Sequence, residues 1–262
     1  MDSQITQLIQ PHTGDVRHVK PVTGGFGVST TAVVAGAAGE FFVKATPNRP
    51  GGNLDAARRE AAINASVLAL SPALRWQVED EKWFVLGFEA VQGRTADTLP
   101  GSADLLAIID AVNTLAALPL PEVARDWEEV RWDRFATEEE RRLLRGDALT
   151  HTDLHSRNVL IGAERVWIVD WEWPTRGAHA ITPSCLAVQL VASGHSTTDA
   201  EAWVSGCEAW KRASPESLDG FALANARMHH WFAEMRPEEA WLADMAVAAQ
   251  AWADHRTGAS SA

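Results

Sequence analysis

One stretch, residues 150–173, THTDLHSRNVLIGAERVWIVDWEW, restricts what this chain can fold into more than any other. It holds His151-x-Asp153-x-x-x-x-Asn158, and twelve residues after Asn158 an apolar run, VWIV, delivers Asp170. Residues 159–161 and 166–169 are short apolar runs on either side of Gly162, and together they predict a β-hairpin. A loop therefore carries the first pair of polar groups, and a hairpin returns the third beside them. Taken singly these residues say little. Asp153 could cap a helix, but Leu-His-Ser-Arg-Asn is a poor start to an amphipathic helix, and Asp170 could be a strand-end turn residue. The spaced set is much harder to obtain by chance. His151 and His155, four apart, invite a zinc reading, but the metalloprotease helix needs Glu directly after the first His. Thr152 stands there, and no third ligand follows.

The spacing is that of a kinase catalytic loop followed by its metal-binding aspartate. One carboxylate orients an attacking hydroxyl and accepts its proton, while an amide oxygen and a second carboxylate hold Mg²⁺ against phosphates. His-Thr-Asp-Leu-His-Ser-Arg-Asn followed by Val-Asp-Trp-Glu resembles the aminoglycoside phosphotransferase and choline kinase family, whose pattern is His-Gly-Asp-x-His-x-x-Asn and then Ile-Asp-Trp-Glu. Thr152 replaces the common Gly. The resemblance implies an α+β, protein-kinase-like bilobal fold, with a small β-rich N-lobe carrying one helix and a larger helical C-lobe containing a β-hairpin. It implies Asp153 as catalytic base, Asn158 and Asp170 as magnesium ligands, His151 as a structural member of the loop, and ATP or GTP as phosphoryl donor. It spans residues 16–255. One departure stands out: Ala-Ile-Thr-Pro-Ser-Cys-Leu-Ala occupies the place of a Gly-Asp-Pro-x-x-Asp-Leu-Ala-like segment, so Cys185 replaces an aspartate that is normally structural.

The first part of the chain tests this independently. Phe41-Phe42-Val43-Lys44 is an apolar strand ending in lysine, and an interior lysine is costly unless paired. Between Asp55 and Glu79 the only acid is Glu60, in mid-helix, which makes it the one credible partner; otherwise it is a solvated charge beside Arg58 or Arg59. Upstream, Gly24, Gly25, Phe26, Gly27 and Ser29 lie between two strands, where glycines allow backbone N–H groups to approach phosphate oxygens. This is neither a P-loop nor a strict GxGxxG. Phe88, Glu89 and Val91 match the hinge whose backbone would meet the nucleotide base.

Around these motifs the chain reads as β from Val16 to about Thr46, with a helix over residues 54–70 whose face is Ala57, Ala61, Asn64, Val67 and Leu68. Strands at 74–78 and 82–91 follow, joined by a turn at Glu79-Asp80-Glu81. Residues 103–118 form an apolar helix ended by Pro119 and Pro121. Residues 122–148 are charged and predicted helical with breaks, and from Leu186 onward everything reads as helix. The expected division is 1–91, a nucleotide-binding lobe, and 92–262, a catalytic and substrate-binding lobe. No internal repeat or low-complexity segment interrupts it.

Composition narrows the partners. A formal charge of -12 over 262 residues argues against nucleic acid, which needs a basic face, and suits a neutral or cationic small hydroxyl substrate. Cys185 and Cys207 form no CxxC pair and read as buried free thiols. The N-terminus lacks a signal-peptide pattern, and no run approaches the roughly 20 apolar residues of a membrane span, so a cytoplasmic location, with no membrane partner, is expected. Trp203, Trp210, Trp231, Trp241 and Trp252 read mainly as helix-packing core, which could equally serve a monomer or a homodimer interface; one or two could line a pocket for a sugar, nucleoside or cationic ring. Glu234, Glu238, Glu239 and Asp244 read as a solvated face that could attract an amino-sugar. Two enzyme expectations follow, an antibiotic-inactivating O-phosphotransferase and a metabolic kinase for choline, homoserine or a thio-sugar. A pseudokinase is the non-enzymatic alternative, and the intact set Lys44, Glu60, Asp153, Asn158 and Asp170 argues against it.

Overall fold

The computed structural model describes residues 1–22 and 28–258. They form two compact units: residues 1–93 with 169–173, and residues 94–168 with 174–262.

The first unit is a five-stranded antiparallel sheet in the order β1-β2-β3-β5-β4, made of β1 (Val16–Pro21), β2 (Thr30–Gly36), β3 (Gly39–Pro47), β4 (Leu74–Glu79) and β5 (Trp83–Glu89). Strand alternation sorts β3 between two faces. Val43 and Ala45 join Val85, Ala32 and Val34 under α1 (Ser3–Thr13), which contributes Ile5 and Ile9, all buried. Phe42 lies on the opposite face with Phe84, Leu86 and Phe88, packed against Leu54 and Ala57 of α2 (Gly52–Ile63). Lys44 has the parity of Phe42, so its side chain emerges on the α2 face. Helix α1 is an addition to the sequence reading. Its signal was the i, i+3, i+4 spacing of Ile5, Leu8 and Ile9, together with Asp2, whose carboxylate caps the helix by accepting the Gln4 N–H. Helix α2 is shorter than expected. Asn64 ends it by donating Nδ2 to the Pro72 carbonyl (2.9 Å) and accepting the Leu74 N–H (2.7 Å), which leaves Leu68 exposed. The predicted turn before β5 forms as read, with the Asp80 carboxylate accepting the Lys82 and Trp83 N–H groups.

The second unit combines a three-stranded sheet, β6 (Arg94–Thr95), β8 (Val159–Ile161) and β9 (Val166–Ile168), with a two-stranded ladder of β7 (Ala148–His151) and β10 (Pro174–Gly177). The β8–β9 pair is the predicted hairpin. Helices α3 (Asp104–Ala117), α4 (Glu138–Leu143), α5 (Ile181–Ala192), α6 (Thr197–Val204), α7 (Glu208–Arg212), α8 (Pro215–Met235) and α9 (Ala240–Thr257) supply the rest. Between residues 122 and 148 the expected helix gives way to turns, a short 3₁₀ segment and α4. The charges there serve irregular backbone: Arg141 donates to the Asp133 carbonyl and Arg145 to that of Glu129. Among the described residues no helix is long and apolar enough to cross a membrane.

Candidate active site

Residues 169–173 leave the second unit with β9 and cluster with the first, although the sequence reading kept all of 92–262 together. The cause is visible at Lys44. Its ammonium lies 2.9 Å from Glu60 Oε2, 2.6 Å from Asp170 Oδ1 and 2.8 Å from Glu172 Oε1. Lys44 and Glu60 are both buried. The second oxygen of Glu60 accepts the Trp171 N–H at 3.2 Å, and the Trp171 ring is buried. Asp170 turns the chain between these contacts with φ 64°, the only positive φ of a non-glycine among the described residues. That conformation costs on the order of 1 kcal/mol for most L-residues, and Asp tolerates it better than most.

Electrostatics bind this cluster together. Burial opposes the charge on Lys44, but three carboxylates outweigh it and hold the ammonium firmly protonated. Glu60 responds in the other direction. Burial first, then the Asp170 and Glu172 charges, push its carboxyl up from 4.5 to about 7 against the pull of Lys44. With all groups ionised, one positive charge faces three negative ones. Glu60, Asp170 and Glu172 each offer an oxygen within 4.8 Å of the others. Hard carboxylate oxygens are what magnesium takes; the more exposed Asp170 and Glu172 fit it, whereas Glu60 is committed to Lys44. Glu172 is the last residue of the Val-Asp-Trp-Glu motif, to which the sequence pattern assigns no role. Its signal was its spacing, two residues beyond Asp170, although the turn at Asp170 rather than strand alternation is what aims it.

In the second unit, β7 ends at His151 and the chain enters the loop. Asp153 is exposed, its side chain 53% accessible, between buried Thr152 and Leu154. Asn158, buried, donates Nδ2 both to the Asp153 carbonyl (2.9 Å) and to Asp153 Oδ2 (3.2 Å). This orients the carboxylate and leaves Oδ1 of Asn158 as the oxygen offered elsewhere, the atom type magnesium accepts. His151 is buried and its N–H is accepted by Thr182 Oγ1 at 3.2 Å, in keeping with a structural place in the loop. His155 Nδ1 accepts the Arg157 N–H (3.2 Å), and its Nε2 lies 3.7 Å from Asp153 Oδ2.

The remaining predicted positions are less concentrated. Ser29 Oγ is 2.8 Å from Thr46 Oγ1, while Gly24, Gly25, Phe26 and Gly27 lie outside the described residues. The Phe88 ring is core. The Glu89 N–H is given to the Ala73 carbonyl at 2.8 Å and its carboxylate pairs with Arg75; Val91 follows the end of β5, half-buried. Of the five tryptophans, Trp252 is buried with Nε1 donated to Glu201 (3.1 Å), and Trp241 is largely exposed. Trp203 lines a surface cavity of about 330 Å³ with His195 and Asp199, to which no catalytic-loop residue contributes. Glu234, Glu238 and Asp244 are exposed, whereas Glu239 pairs with Arg236. Cys207 is buried and Cys185 half-buried, both as free thiols.

No family model and no curated protein matches this sequence. Solved structures do match it. A thermostable mutant of aminoglycoside phosphotransferase APH(4)-Ia, in ternary complex with ADP and hygromycin B, aligns with a TM-score of 0.69 at 14% identity, over 99% of this chain and 100% of that one. Choline kinase LicA from Streptococcus pneumoniae aligns at 0.65 and 13%, over 97% and 100%. Spectinomycin phosphotransferase APH(9)-Ia, in complex with ADP and spectinomycin, aligns at 0.60 and 10%, over 96% and 93%. The β-rich first unit and helical second unit are thus those of the kinase-like α+β fold that these phosphotransferases and the choline kinase share.

Proposed function

We propose that this chain is a magnesium-dependent small-molecule O-phosphotransferase that moves the γ-phosphoryl group of a nucleoside triphosphate to a substrate hydroxyl. The observation that supports this most is the Lys44 cluster. A helix glutamate and an aspartate from separate stretches of sequence lie 2.9 and 2.6 Å from the ammonium of one strand lysine. Lys44 is the group that meets phosphate oxygens, and Glu60 holds it in place. Asp170 and Asn158 are the oxygen donors that the sequence motif assigns to magnesium. The ion, when bound, neutralises phosphate charge. Asp153 orients the acceptor hydroxyl and accepts its proton, and its exposure leaves it open to that partner. The division into a nucleotide-binding first part and a catalytic, acceptor-binding second part follows.

For the acceptor, the reading is a polyhydroxylated, cationic antibiotic of the aminocyclitol type. Two of the similar structures hold hygromycin B and spectinomycin, and the chain's charge of -12 favours a cation. The similarity to a choline kinase supports a second acceptor class, small quaternary alcohols. The test is phosphoryl transfer from labelled ATP and GTP, with magnesium, to hygromycin B, spectinomycin, other aminoglycosides, choline and homoserine. Transfer to an aminocyclitol is expected. Transfer to choline alone would move the acceptor to the second class. No transfer together with no magnesium-dependent nucleotide binding would overturn the phosphotransferase reading.

A further inference from the structure

The carbonyl oxygen of Thr152 belongs to the peptide that carries the Asp153 N–H, so whatever holds that oxygen sets the plane from which the Asp153 side chain departs. An arginine and a cysteine both reach it. Arg131 donates Nη1 at 3.0 Å, and Cys185 places Sγ at 3.7 Å. The two differ greatly in strength. Burial pushes the Cys185 thiol up to about 12, so it stays an S–H, which is a weak donor. The guanidinium is always charged, and a hydrogen bond from a charged donor is about twice as strong as a neutral one.

Arg131 is itself firmly placed. Its backbone N–H is accepted by Glu129 Oε1 at 2.5 Å, and the other Glu129 oxygen accepts from Thr175 Oγ1 at 2.6 Å. Thr175 pairs with Thr150 across the β7–β10 ladder, hydroxyl to hydroxyl, at 2.6 Å. The Glu129 carboxylate is buried and spans from one end of this chain of bonds to the other. The guanidinium lies over the indole of Trp132, 5.8 Å from its centroid, and that indole is buried with Nε1 donated to Asn225 of α8 at 3.0 Å. The strand that leads into the loop, through Thr150, and the arginine that closes on its far side, at Thr152, are therefore tied to the same carboxylate.

We propose that Arg131, held by Glu129, is a positioning residue for Asp153. Asn158 fixes the carboxylate from one side, and Arg131 fixes the peptide that bears it from the other. This rests on Asp153 being the base, as proposed above. Displacing a reacting group by about 1 Å can cost on the order of 100-fold in rate, so a loosened Thr152–Asp153 peptide should act on turnover rather than on nucleotide affinity.

The test compares Arg131→Met, which keeps the stem and removes the donor, with Arg131→Lys, which restores one charged donor, in parental and Asp153→Asn backgrounds. The readouts are kcat for the best acceptor of the panel above, or for magnesium-ATP hydrolysis if no acceptor is found, and the Kd of magnesium-ATP. Arg131→Met should lower kcat by roughly 10- to 100-fold and leave Kd within about 2-fold. Arg131→Lys should recover most of the loss. In the Asp153→Asn background Arg131→Met should cost nothing further, because a residue acting through another shows no independent effect. Parental kcat in Arg131→Met, or an equal loss in both backgrounds, would overturn the proposal. If Arg131→Met does not fold, Arg131→Lys and Arg131→Gln carry the same comparison. A parental protein with neither turnover nor magnesium-dependent nucleotide binding, or Asp153→Asn at the parental rate, would sink the functional reading on which this inference rests. Activity that depends on Asp153 but not on Arg131 would sink this inference alone.

Discussion

The two units carry their chemistry in opposite ways. The Lys44 cluster in the first is buried and charge-dense, one ammonium against three carboxylates. In the second, the Asp153 side chain alone stands exposed between buried neighbours, and its carboxylate is oriented by a neutral amide and by the peptide behind it. Burial makes charges strong and costly, and each member of the first cluster depends on the others. Exposure keeps a carboxylate reactive and nearly independent of folding. The contrast therefore separates effects on stability and nucleotide binding from effects on turnover.

The largest expected effect breaks the second region alone. Asp153→Ala should reduce kcat by about 10² to 10⁴-fold, the usual worth of a positioned general base. The melting temperature and the Kd of magnesium-ATP should stay near parental, since the lost side chain is mostly solvated. A matching loss of nucleotide affinity would mean that the two regions are not separable in this way.

Lys44→Met reverses the pattern. It removes the only cation among three carboxylates and should cost about 3 kcal/mol of stability, in the range for breaking a buried ion pair, and abolish nucleotide binding. The loss should be smaller at pH 5, where Glu60 holds a proton, than at pH 8. Chemical denaturation at the two pH values checks this. Unchanged stability at pH 8 would show that the cluster is far better solvated than its burial implies.

The two regions also differed in how far the sequence disclosed them. The loop was legible because its residues lie within a few positions of one another: Asp153, Asn158 and the hairpin to Asp170 follow from spacing. Lys44 and Glu60 were legible for a different reason. An apolar strand ending in lysine called for a paired interior charge, and only one acid was available to meet it. Glu172 was missed because the left-handed turn at Asp170 breaks the alternation from which its direction would be read. Arg131 was missed because residues 122–148 looked like charged helix, whereas the structure folds them as turns in which charged side chains bond to distant backbone. The strand β10 was hidden by Pro174 and Gly177, which read as breakers, and α1 by its polar composition and Pro11. Local pattern thus disclosed what is local, and contacts made across long sequence separations by irregular backbone stayed out of reach.

The smallest expected effect sharpens the first region. Burial and the neighbouring Asp170 and Glu172 charges push the Glu60 carboxyl up from 4.5 to about 7. Between those values the native state holds a proton that the unfolded state has released. Stability in magnesium-free buffer is therefore greatest below about pH 4.5 for this group and falls as pH rises through 7, by on the order of 3 kcal/mol. Glu60→Gln should remove that slope. Glu172→Gln should weaken it rather than remove it, because Glu172 is only one of the causes of the upward shift and burial is the largest. Urea midpoints measured from pH 5 to 8 in EDTA would rank the three proteins: steepest in the parent, intermediate in Glu172→Gln, and flattest in Glu60→Gln. If Glu172→Gln kept the full parental slope, the Glu172 charge would not be felt at Glu60, and the cluster would reduce to the Lys44, Glu60 and Asp170 set that the sequence pattern already contained.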